Sequence, residues 1–369
     1  MKLSQDRPEF DIVVVGAGLA GLAAALTLHN AGARVVVLEA ANRIGGRIHA
    51  VFDDDARPIA DLGPTWVWPP YQPVVARWLK ALELTIFDQF NQGDCVIEGY
   101  GPELQRQPLP GQQGMQRIAD GPHALTQAIA RKLPKGAIRL GSRVTRIEEI
   151  QADRLRLTLA NERDAIVAGQ IILAVPLRVA ADTISMPSVP DALRYTMRNT
   201  PTWMATQTKV VILYEQAFWR TEGLAGRIAS RLGPMAEVHD HCAIDGRAAL
   251  FGFLDGSAKT WAPETLRTAV LAQLVRCLGP KAGTPRAIIT QDWSKDLFIC
   301  TELDRLTPSA HPEVAPALLR KSHFNGKLWL GVSEASDVSP GLIEGALHAG
   351  ETAAMSAVNF SIVEEGLRR

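Results

Sequence analysis

The sequence predicts an α/β protein, and three observations near its N-terminus support that prediction. Residues 11–15 (DIVVV) are a short β-branched run, typical of a strand that is covered on both faces. A glycine-rich turn at residues 16–21 (GAGLAG) follows and leads into a helix-forming stretch at residues 22–30, closed by Gly32. Residues 33–38 are a second apolar strand. This order predicts a βαβ unit whose parallel strands are joined by a right-handed crossover.

The rest of the chain predicts further strands and helices, without a repeat, a low-complexity tract or a Ser/Gly-rich linker. Its 369 residues suggest two domains, since a domain typically takes about 150 residues. Without a linker, we expect the second domain to be interleaved with the first. Apolar runs and alternation predict strands within residues 138–159 (antiparallel), 170–175, 209–214, 248–254 and 327–332, and helices at residues 122–132, 263–278 and 341–358.

Composition excludes several classes of protein. The 39 Lys and Arg residues balance the 39 Asp and Glu residues, so there is no electrostatic sign of a nucleic-acid or membrane partner. The four cysteines form no CxxC pair, which favours reduced thiols in the cytosol. The N-terminus lacks a signal-peptide layout, and glycines interrupt the longest apolar run, at residues 12–28. We expect a soluble, cytoplasmic protein of undetermined oligomeric state.

The GxGxxG pattern at Gly16, Gly18 and Gly21 predicts a dinucleotide site of the Rossmann type. The first glycine permits the tight turn, the second lets the backbone approach a pyrophosphate, and the third lets the helix pack on the strand. The pyrophosphate then lies at the helix N-terminus, where unpaired N–H groups favour an anion. Glu39 follows the second strand, where a carboxylate can bind ribose hydroxyls and would repel the extra phosphate of NADP. Further residues of this predicted site are Ala17, Leu19 and Ala40.

A second glycine and arginine segment follows at residues 42–47 (NRIGGR). It would place Arg43, Gly46 and Arg47 beside the phosphates, which an NAD-binding fold does not require. A basic, solvated loop is the alternative interpretation, since glycine-rich loops commonly carry exposed arginines.

At this point the chain resembles the flavin-containing amine oxidase family, which includes monoamine and polyamine oxidases. Five separated blocks in the family's order carry the resemblance. They are GAGLAG with LEA and GGR, DLGPTWV at residues 61–67, SRVTRI around Val144, KVVILYEQAFW beginning at Lys209, and residues 331–350 with SEAS and EGALHAG.

The resemblance implies a Rossmann-like FAD-binding domain and an interleaved substrate domain built on a mixed sheet and helices. FAD would lie extended, with its isoalloxazine ring facing the substrate domain. The implied FAD-binding domain comprises residues 1–85, 118–178 and 286–369, and the substrate domain residues 86–117 and 179–285. The helix that starts near Gly341 would direct its positive end at the flavin pyrimidine edge. Further FAD-binding residues implied by the resemblance are Gly63, Pro64, Thr65, Trp66, Val144, Trp293, Ser333, Glu334, Leu342 and Ile343.

Lys209 matches the family's active-site lysine, which holds a water against flavin N5 and is linked to oxygen reactivity. The implied reaction is hydride transfer from a carbon bearing nitrogen to N5, followed by reoxidation by O2 to give H2O2. The substrate would be a small amine or amino acid. From the pattern alone, a lysine that opens an apolar strand also fits a solvated charge at a sheet edge.

The sequence departs from the family pattern around the flavin. Leu342 occupies the position of one of the two aromatic rings that flank the substrate nitrogen, and the block around Trp293 has no counterpart of the other. Cys300 is offset from the cysteine that attaches covalently to flavin in mitochondrial relatives, and the preceding Gly-Gly is missing. We therefore predict non-covalent FAD, with Cys300 as a small buried hydrophobe.

Other candidates are weaker. His239, His241 and Cys242 have donor atoms for a structural metal site, but nothing supplies a fixed fourth ligand, and an exposed loop is the alternative. We predict no metal. Two functions compete with amine oxidation on the same evidence. One is a flavin-dependent C–C desaturase of the protoporphyrinogen oxidase or carotenoid desaturase type, and the other is a flavin-binding protein without catalysis.

Overall fold

A computed structural model describes residues 9–151, 154–161, 165–307, 311–314 and 316–367. The chain forms two compact units, each built from separated segments. The first comprises Met1–Arg47, Leu125–Ala205 and Ser294–Arg369, and the second comprises Ile48–Ala124 and Thr206–Trp293. Residues 48–85, which we assigned to FAD binding, thus lie in the second unit. The assignment of these residues to FAD binding stays a prediction.

The strands and α-helices are numbered in chain order. The strands are β1 (Phe10–Val15), β2 (Val35–Leu38), β3 (Ala50–Phe52), β4 (Pro58–Asp61), β5 (Ile86–Asp88), β6 (Asp94–Glu98), β7 (Gln105–Pro108), β8 (Gln116–Ile118), β9 (Ile138–Arg139), β10 (Val144–Gln151), β11 (Arg154–Leu159), β12 (Ile166–Leu173), β13 (Thr208–Tyr214), β14 (Leu224–Ser230), β15 (Met235–Asp240), β16 (Ala248–Leu254), β17 (Ala287–Asp292) and β18 (Leu328–Leu330). The helices are α1 (Leu19–Asn30), α2 (Pro73–Ala81), α3 (Gly121–Lys132), α4 (Leu177–Thr183), α5 (Asp191–Asn199), α6 (Phe218–Thr221), α7 (Pro263–Leu278), α8 (Glu302–Leu306) and α9 (Ile343–Leu367).

The sheet of the first unit has the strand order β10-β11-β12-β1-β2-β9, and β18 also pairs with β12. β1 is parallel to both β2 and β12, with Val14 beside Val37 and Ile172. These three residues are fully or almost fully buried, as expected for β-branched strands covered on both faces. The predicted βαβ unit of β1, α1 and β2 is confirmed.

Helices α1 and α9 of the first unit pack with their backbones in close contact. A side chain at Gly350 of α9 would place its Cβ 2.1 Å from the carbonyl oxygen of Ala20 in α1. Such a contact is sterically impossible, so only glycine permits the two helices to approach this closely.

The sheet of the second unit has the order β17-β13-β16-β15-β14-β6-β7. Side chains alternate between its two faces along each strand. On one face of β13, Val210 and Ile212 join the apolar core that includes Val270 and Leu274 of α7. On the other face, Val211 packs against a small core formed with the β3–β4 ribbon. Lys209 shares this second face.

Two predicted elements differ in detail. The pattern at residues 138–159 predicts antiparallel strands, which β10 and β11 confirm, but β9 pairs in parallel with β2 instead. The last helix begins at Ile343 rather than at Gly341, because Ser339 (φ 43°) and Gly341 (φ 79°) have left-handed backbone conformations. Within the described ranges, no helix combines the length and apolarity that crossing a bilayer would require.

Candidate active site

The three glycines of the first turn have the geometry that their predicted roles require. Gly16 has a φ of 104°, and a Cβ on it would lie 2.7 Å from the carbonyl oxygen of Ala174. A Cβ on Gly21 would lie 2.0 Å from the carbonyl oxygen of Gly16, so α1 can pack on the turn only with glycine there. A Cβ on Gly18 would meet no protein atom within 4 Å. The turn therefore leaves open space at the glycine predicted to face a pyrophosphate.

The N-terminus of α1 adjoins this open space. Its first intrahelical bond runs from the Leu22 N–H to the Gly18 carbonyl, at 2.9 Å. The N–H groups of Leu19, Ala20 and Gly21 therefore have no intrahelical acceptor. Neither a capping side chain nor an acidic residue occupies the first turn. Donors, helix dipole and free space together fit a phosphate anion.

Glu39 is buried at the carboxyl end of β2, beside the glycine turn. One of its carboxylate oxygens accepts a hydrogen bond from the Ala17 N–H at 2.6 Å, and the other accepts one from the Ala41 N–H at 2.8 Å. Burial raises the pKa of Glu39, although these two bonds and the charge of Arg43 oppose that shift. Each oxygen keeps a further acceptor site, which is compatible with the ribose contact that stays a prediction for Glu39. Sequence reasoning missed that Glu39 also holds the glycine turn.

The segment that contains Arg43 packs against the glycine turn and is not a solvated loop. The Gly45 N–H donates to the Ala17 carbonyl at 2.8 Å, and the Cβ position of Gly46 lies 3.3 Å from the Cα of Gly18. Arg43 is half-buried and donates to the Gly46 carbonyl at 2.8 Å. Its burial lowers its pKa, while nearby carboxylates oppose that shift.

Arg47 has a different partner, because it forms a two-pronged ion pair with Glu334. Its two terminal nitrogens lie 2.6 and 3.0 Å from the two carboxylate oxygens of Glu334, and one also donates to the Ser333 hydroxyl at 2.8 Å. The Trp203 N–H donates to the same carboxylate at 3.1 Å. Burial opposes ionisation of Glu334, but Arg47, together with the hydrogen bonds from Ser333 and the Trp203 N–H, outweighs it, so the pKa of Glu334 is lowered. The predicted FAD contacts of Arg47, Ser333 and Glu334 stay predictions, and the contacts observed bind these residues to one another.

Ser333 and Trp203 also hold the residues just before α9 in place. The Gly341 N–H donates to the Ser333 carbonyl at 3.3 Å, and a Cβ on Gly341 would lie 2.8 Å from Trp203. Leu342 is half-buried, and Ile343 is buried as the first helical residue. Val144 is buried at the first position of β10. The structure thus places Leu342 and Ile343 together near Ser333, and the FAD roles of all these residues stay predictions.

In the second unit, residues 61–67 form a loop that several neighbours hold. The Leu62 carbonyl accepts a hydrogen bond from the indole N–H of Trp293 at 2.9 Å. The Gly63 carbonyl accepts one from the ammonium group of Lys209. The indole N–H of Trp66 donates to the Gln89 side chain at 2.8 Å. Trp293, predicted as an FAD contact, therefore supports the loop beside which the flavin is predicted to bind.

Lys209 is buried in an aromatic environment. Only 5% of it is exposed, and its strand β13 lies between β16 and β17. Its ammonium nitrogen is 5.5 Å from the ring centre of Phe251 and 5.4 Å from that of Phe253. The interpretation of Lys209 as a solvated edge charge is therefore wrong, because the strand is internal and the charge is covered. A buried ammonium needs partners, and the Gly63 carbonyl and the ring faces supply them.

The Thr65 side chain shows how well the loop at residues 61–67 fits a bound cofactor. Its hydroxyl is buried and has no hydrogen-bond partner within the described structure. Buried hydroxyls are nearly always paired, so an unpaired one calls for a partner that the protein does not supply. Pro64 and Trp66, on either side of Thr65, are half-buried. This segment therefore fits a polar ligand edge, and the open glycine turn of the first unit fits a phosphate.

His239, His241 and Cys242 are buried at the end of β15, so the exposed-loop interpretation is wrong. The ring Nε2 of His241 accepts a hydrogen bond from the Asp61 N–H at 3.0 Å, and burial lowers the pKa of His241 to about 4. His241 therefore anchors the start of the 61–67 loop, a role that sequence reasoning missed. Among the described residues, no group of three or more His, Cys, Asp or Glu side chains is arranged to hold a metal ion. Cys300 is buried, as predicted.

The open glycine turn of one unit and the buried lysine of the other fit the class predicted from the sequence, the flavin-dependent oxidoreductases. The chain belongs to the flavin containing amine oxidoreductase family, whose sequence profile matches residues 19–101 and 103–358. The match covers most of the chain and confirms the family predicted from the five blocks.

Individual relatives agree with this assignment. A probable flavin-containing monoamine oxidase A of Dictyostelium discoideum is 22% identical over 454 aligned positions, which cover 92% of this chain and 96% of the relative. Putrescine oxidase of Kocuria rosea is 40% identical over 93 residues, which is 25% of this chain and 19% of the relative.

Solved structures share the fold. Cyclohexylamine oxidase from Brevibacterium oxydans has a TM-score of 0.82 at 19% identity, covering 96% of this chain and all of the other (100%). Wild-type putrescine oxidase bound to putrescine has a TM-score of 0.77 at 20% identity, covering 95% of this chain and 99% of the other. At these identities the similarity establishes the fold, and the predicted α/β class is confirmed.

Proposed function

We propose that this protein is an FAD-dependent oxidase of an amine or amino acid. When bound, FAD supplies the acceptor, at N5, for a hydride from the carbon that bears the substrate nitrogen, and O2 takes up the electrons to give H2O2. The substrate leaves as an imine. Family membership supports this reaction, and the buried ammonium of Lys209 against the Gly63 carbonyl is the single observation that carries it.

The proposed FAD-binding residues divide between the two units. In the first, Gly16, Gly18 and the N-terminus of α1 would bind the pyrophosphate, Glu39 would bind a ribose, and Val144 the adenine. In the second, the polar edge of the flavin would satisfy the Thr65 hydroxyl. Residues 1–85, 118–178 and 286–369 remain our proposal for FAD binding, and residues 86–117 and 179–285 for the substrate domain.

We assign Lys209 to the reaction with O2. Its ammonium is fixed by the Gly63 carbonyl and shielded by Phe251 and Phe253, so its charge is weakly screened by water. A fixed cation in such surroundings stabilises negative charge that develops as O2 is reduced. It needs no reorganisation at the moment of reaction.

Non-covalent attachment of FAD is part of the proposal. The Cys300 thiol is buried and donates to the Thr301 carbonyl at 3.4 Å, which supports a packing role. The four cysteines are buried and form no disulfide, which supports the cytoplasmic location that we propose.

The test is an anaerobic screen of amines and amino acids against the purified yellow holoprotein. We expect one class to bleach the flavin absorbance, and admission of air to restore it with release of H2O2. A yellow protein that no amine or amino acid bleaches would favour the flavin-binding protein without catalysis.

The desaturase is the second candidate, because Leu342 stands where amine oxidases of the mitochondrial type have an aromatic ring. It predicts bleaching by a conjugated or conjugable C–C substrate and none by amines. The same anaerobic screen, extended to a porphyrinogen and a carotenoid precursor, distinguishes the two.

A further inference from the structure

The Trp66 indole packs against the two aromatic rings that flank the Lys209 ammonium group. Its ring centre is 5.8 Å from that of Phe251 and 6.4 Å from that of Phe253. The ammonium nitrogen of Lys209 lies 5.5 and 5.4 Å from the centres of these same two rings. Gly63, whose carbonyl oxygen accepts the hydrogen bond from Lys209, precedes Trp66 by three residues in the same loop. The position of Trp66 is therefore linked to the surroundings of Lys209 through the rings and through the loop.

A buried amide holds the Trp66 indole in place. Gln89, directly after β5, is only 6% exposed, and its side-chain oxygen accepts the hydrogen bond from the indole N–H at 2.8 Å. Its amide nitrogen donates to the Asp240 carbonyl at 2.8 Å and to the Phe90 carbonyl at 3.2 Å. Because an indole N–H can only donate and a carbonyl can only accept, these three partners permit a single orientation of the amide.

The Asp240 end of this connection is itself fixed. The Asp240 side chain is buried, and its two oxygens accept hydrogen bonds from the Arg220 guanidinium at 2.7 and 2.8 Å. The indole N–H of Trp219 donates to the same carboxylate at 2.8 Å. Gln89 therefore ties Trp66 to a buried and ion-paired part of the second unit.

We infer that Gln89 is a positioning residue for the reaction with O2. It holds the Trp66 indole against the rings that shield Lys209, so that water is excluded from the ammonium group and its charge stays weakly screened. A Trp66 ring that turned away would open one side of this aromatic cluster to water. The inference rests on the proposed role of Lys209 and adds a residue that acts on it through Trp66.

The test uses a substitution that keeps the shape of the Gln89 side chain and alters its hydrogen bonding. Protonated Gln89→Glu has a carbonyl oxygen for the indole and an O–H group for the Asp240 carbonyl, whereas the ionised carboxylate has only acceptors. The ionised form therefore turns an oxygen towards two carbonyl oxygens. Gln89→Met keeps the unbranched shape without the amide. Gln107→Glu, at an exposed glutamine of β7, is the matched control.

Two measurements are made on the holoprotein from acidic to alkaline pH. Fluorine NMR of protein labelled with fluorotryptophan follows the Trp66 indole, whose signal is assigned by its loss in Trp66→Phe. Stopped-flow spectroscopy follows reoxidation by O2 after photochemical reduction of the flavin, so that no amine is needed. The charged and titratable groups around Gln89 and Trp66 are the same in the wild-type protein and the Gln89 variants, and they include Asp240, Arg220, Glu237 and His239. A pH profile that differs from the wild-type profile therefore reports the substitution of Gln89.

We expect Gln89→Glu to match the wild-type protein at acidic pH in both measurements. At alkaline pH its Trp66 signal should shift or broaden, and reoxidation should slow by about fivefold, the ratio that corresponds to one neutral hydrogen bond. Gln89→Met should show both effects at every pH, and Gln107→Glu should show neither. In a Lys209→Met background, Gln89→Met should slow reoxidation no further, because both substitutions act through the same cation.

Two results would overturn the inference in distinguishable ways. If Lys209→Met reoxidises slowly but Gln89→Glu and Gln89→Met reoxidise at the wild-type rate, Gln89 is not a positioning residue and the proposed role of Lys209 stands. If Lys209→Met itself reoxidises at the wild-type rate, that proposed role is wrong, and the inference about Gln89 is wrong with it.

Discussion

Arg47 and Glu334 are 287 positions apart in the chain, and the half-buried guanidinium of Arg47 forms an ion pair with both oxygens of the buried Glu334 carboxylate. The pair joins the segment after the glycine turn to the segment before α9. Both segments belong to blocks that carry the family resemblance, so the pair fixes the relative positions of two predicted parts of the FAD site.

The first prediction concerns this pair. Glu334→Gln leaves a guanidinium without its counter-charge, and we expect a loss of about 3 kcal/mol in the free energy of unfolding. Because the folded pKa of Glu334 is lowered, its stabilising effect is present above the ordinary carboxylate range and is lost as the pH falls through the folded pKa. Urea unfolding of the holoprotein at several pH values measures both effects. An equal loss in Glu302→Gln, at an exposed glutamate, would contradict this account.

The structure predicts different effects on folding stability for alanine substitutions at Gly18 and at Gly21. Gly21→Ala forces a Cβ to 2.0 Å from a carbonyl oxygen, so we expect the folded state to be destabilised by several kcal/mol, as for strong overpacking. Gly18→Ala meets no protein atom and has a φ of −66°, so the free energy of unfolding without FAD should change by less than about 1 kcal/mol.

The Gly18→Ala variant should nevertheless bind FAD at least tenfold more weakly, because the new Cβ occupies the space predicted for the pyrophosphate. Fluorescence titration with FAD and urea unfolding of the apoprotein separate the two effects. Unimpaired FAD binding by Gly18→Ala would remove this glycine from the site.

Lys209→Met removes the buried cation and keeps an unbranched apolar side chain. We expect flavin reduction by substrate to change little, while reoxidation by O2 slows by at least tenfold, about 1.4 kcal/mol in the barrier. Stopped-flow spectroscopy of the two half-reactions measures this. Lys281→Met, at a lysine that is 65% exposed, is the matched control. Unchanged reoxidation in Lys209→Met would remove Lys209 from the oxygen reaction.

His241 predicts a loss of stability in mild acid. Its folded pKa is about 4 because it is buried, whereas an unfolded histidine titrates near 6.5. Between these two pH values the unfolded state binds a proton at His241 and the folded state does not. The free energy of unfolding therefore falls by roughly 2 kcal/mol from pH 7 to pH 5. Urea unfolding should show a weaker pH dependence for His241→Gln. His29→Gln, which removes an imidazole of α1, should retain the wild-type dependence.

The mode of FAD attachment gives a simple prediction. Acid precipitation should release the yellow colour into the supernatant, because the Cys300 thiol is buried and hydrogen-bonded to the Thr301 carbonyl. Colour that stays in the pellet after denaturation would show a covalent bond.

Local sequence rules predicted the βαβ unit and the need for glycine in its turn, whereas the nucleotide-binding role of that turn stays a prediction. The need for glycine at Gly21 is set by Gly16 in the same turn, but Gly16 also faces Ala174, which is far away along the chain. The partners of Arg47 and His241 could not be predicted from the sequence, because Glu334 and Asp61 come close to them only in the tertiary fold. Lys209 illustrates the same limit, since a strand sequence does not state whether the strand is internal. The sequence offered one signal for the Arg47 pair. Glu334 lies in the apolar segment at residues 328–335, and a glutamate that is buried in such a segment requires a cation as its partner.

The contact between Gly350 and Ala20 has a consequence for biosynthesis. Translation reaches the start of α9 at Ile343 more than 300 residues after the end of α1 at Asn30, yet the backbones of the two helices touch. The apolar surface of α1 that α9 covers therefore stays uncovered in the nascent chain until α9 has been synthesised. At about 5–20 residues per second, that interval is tens of seconds, during which a chaperone has time to bind the emerging polypeptide.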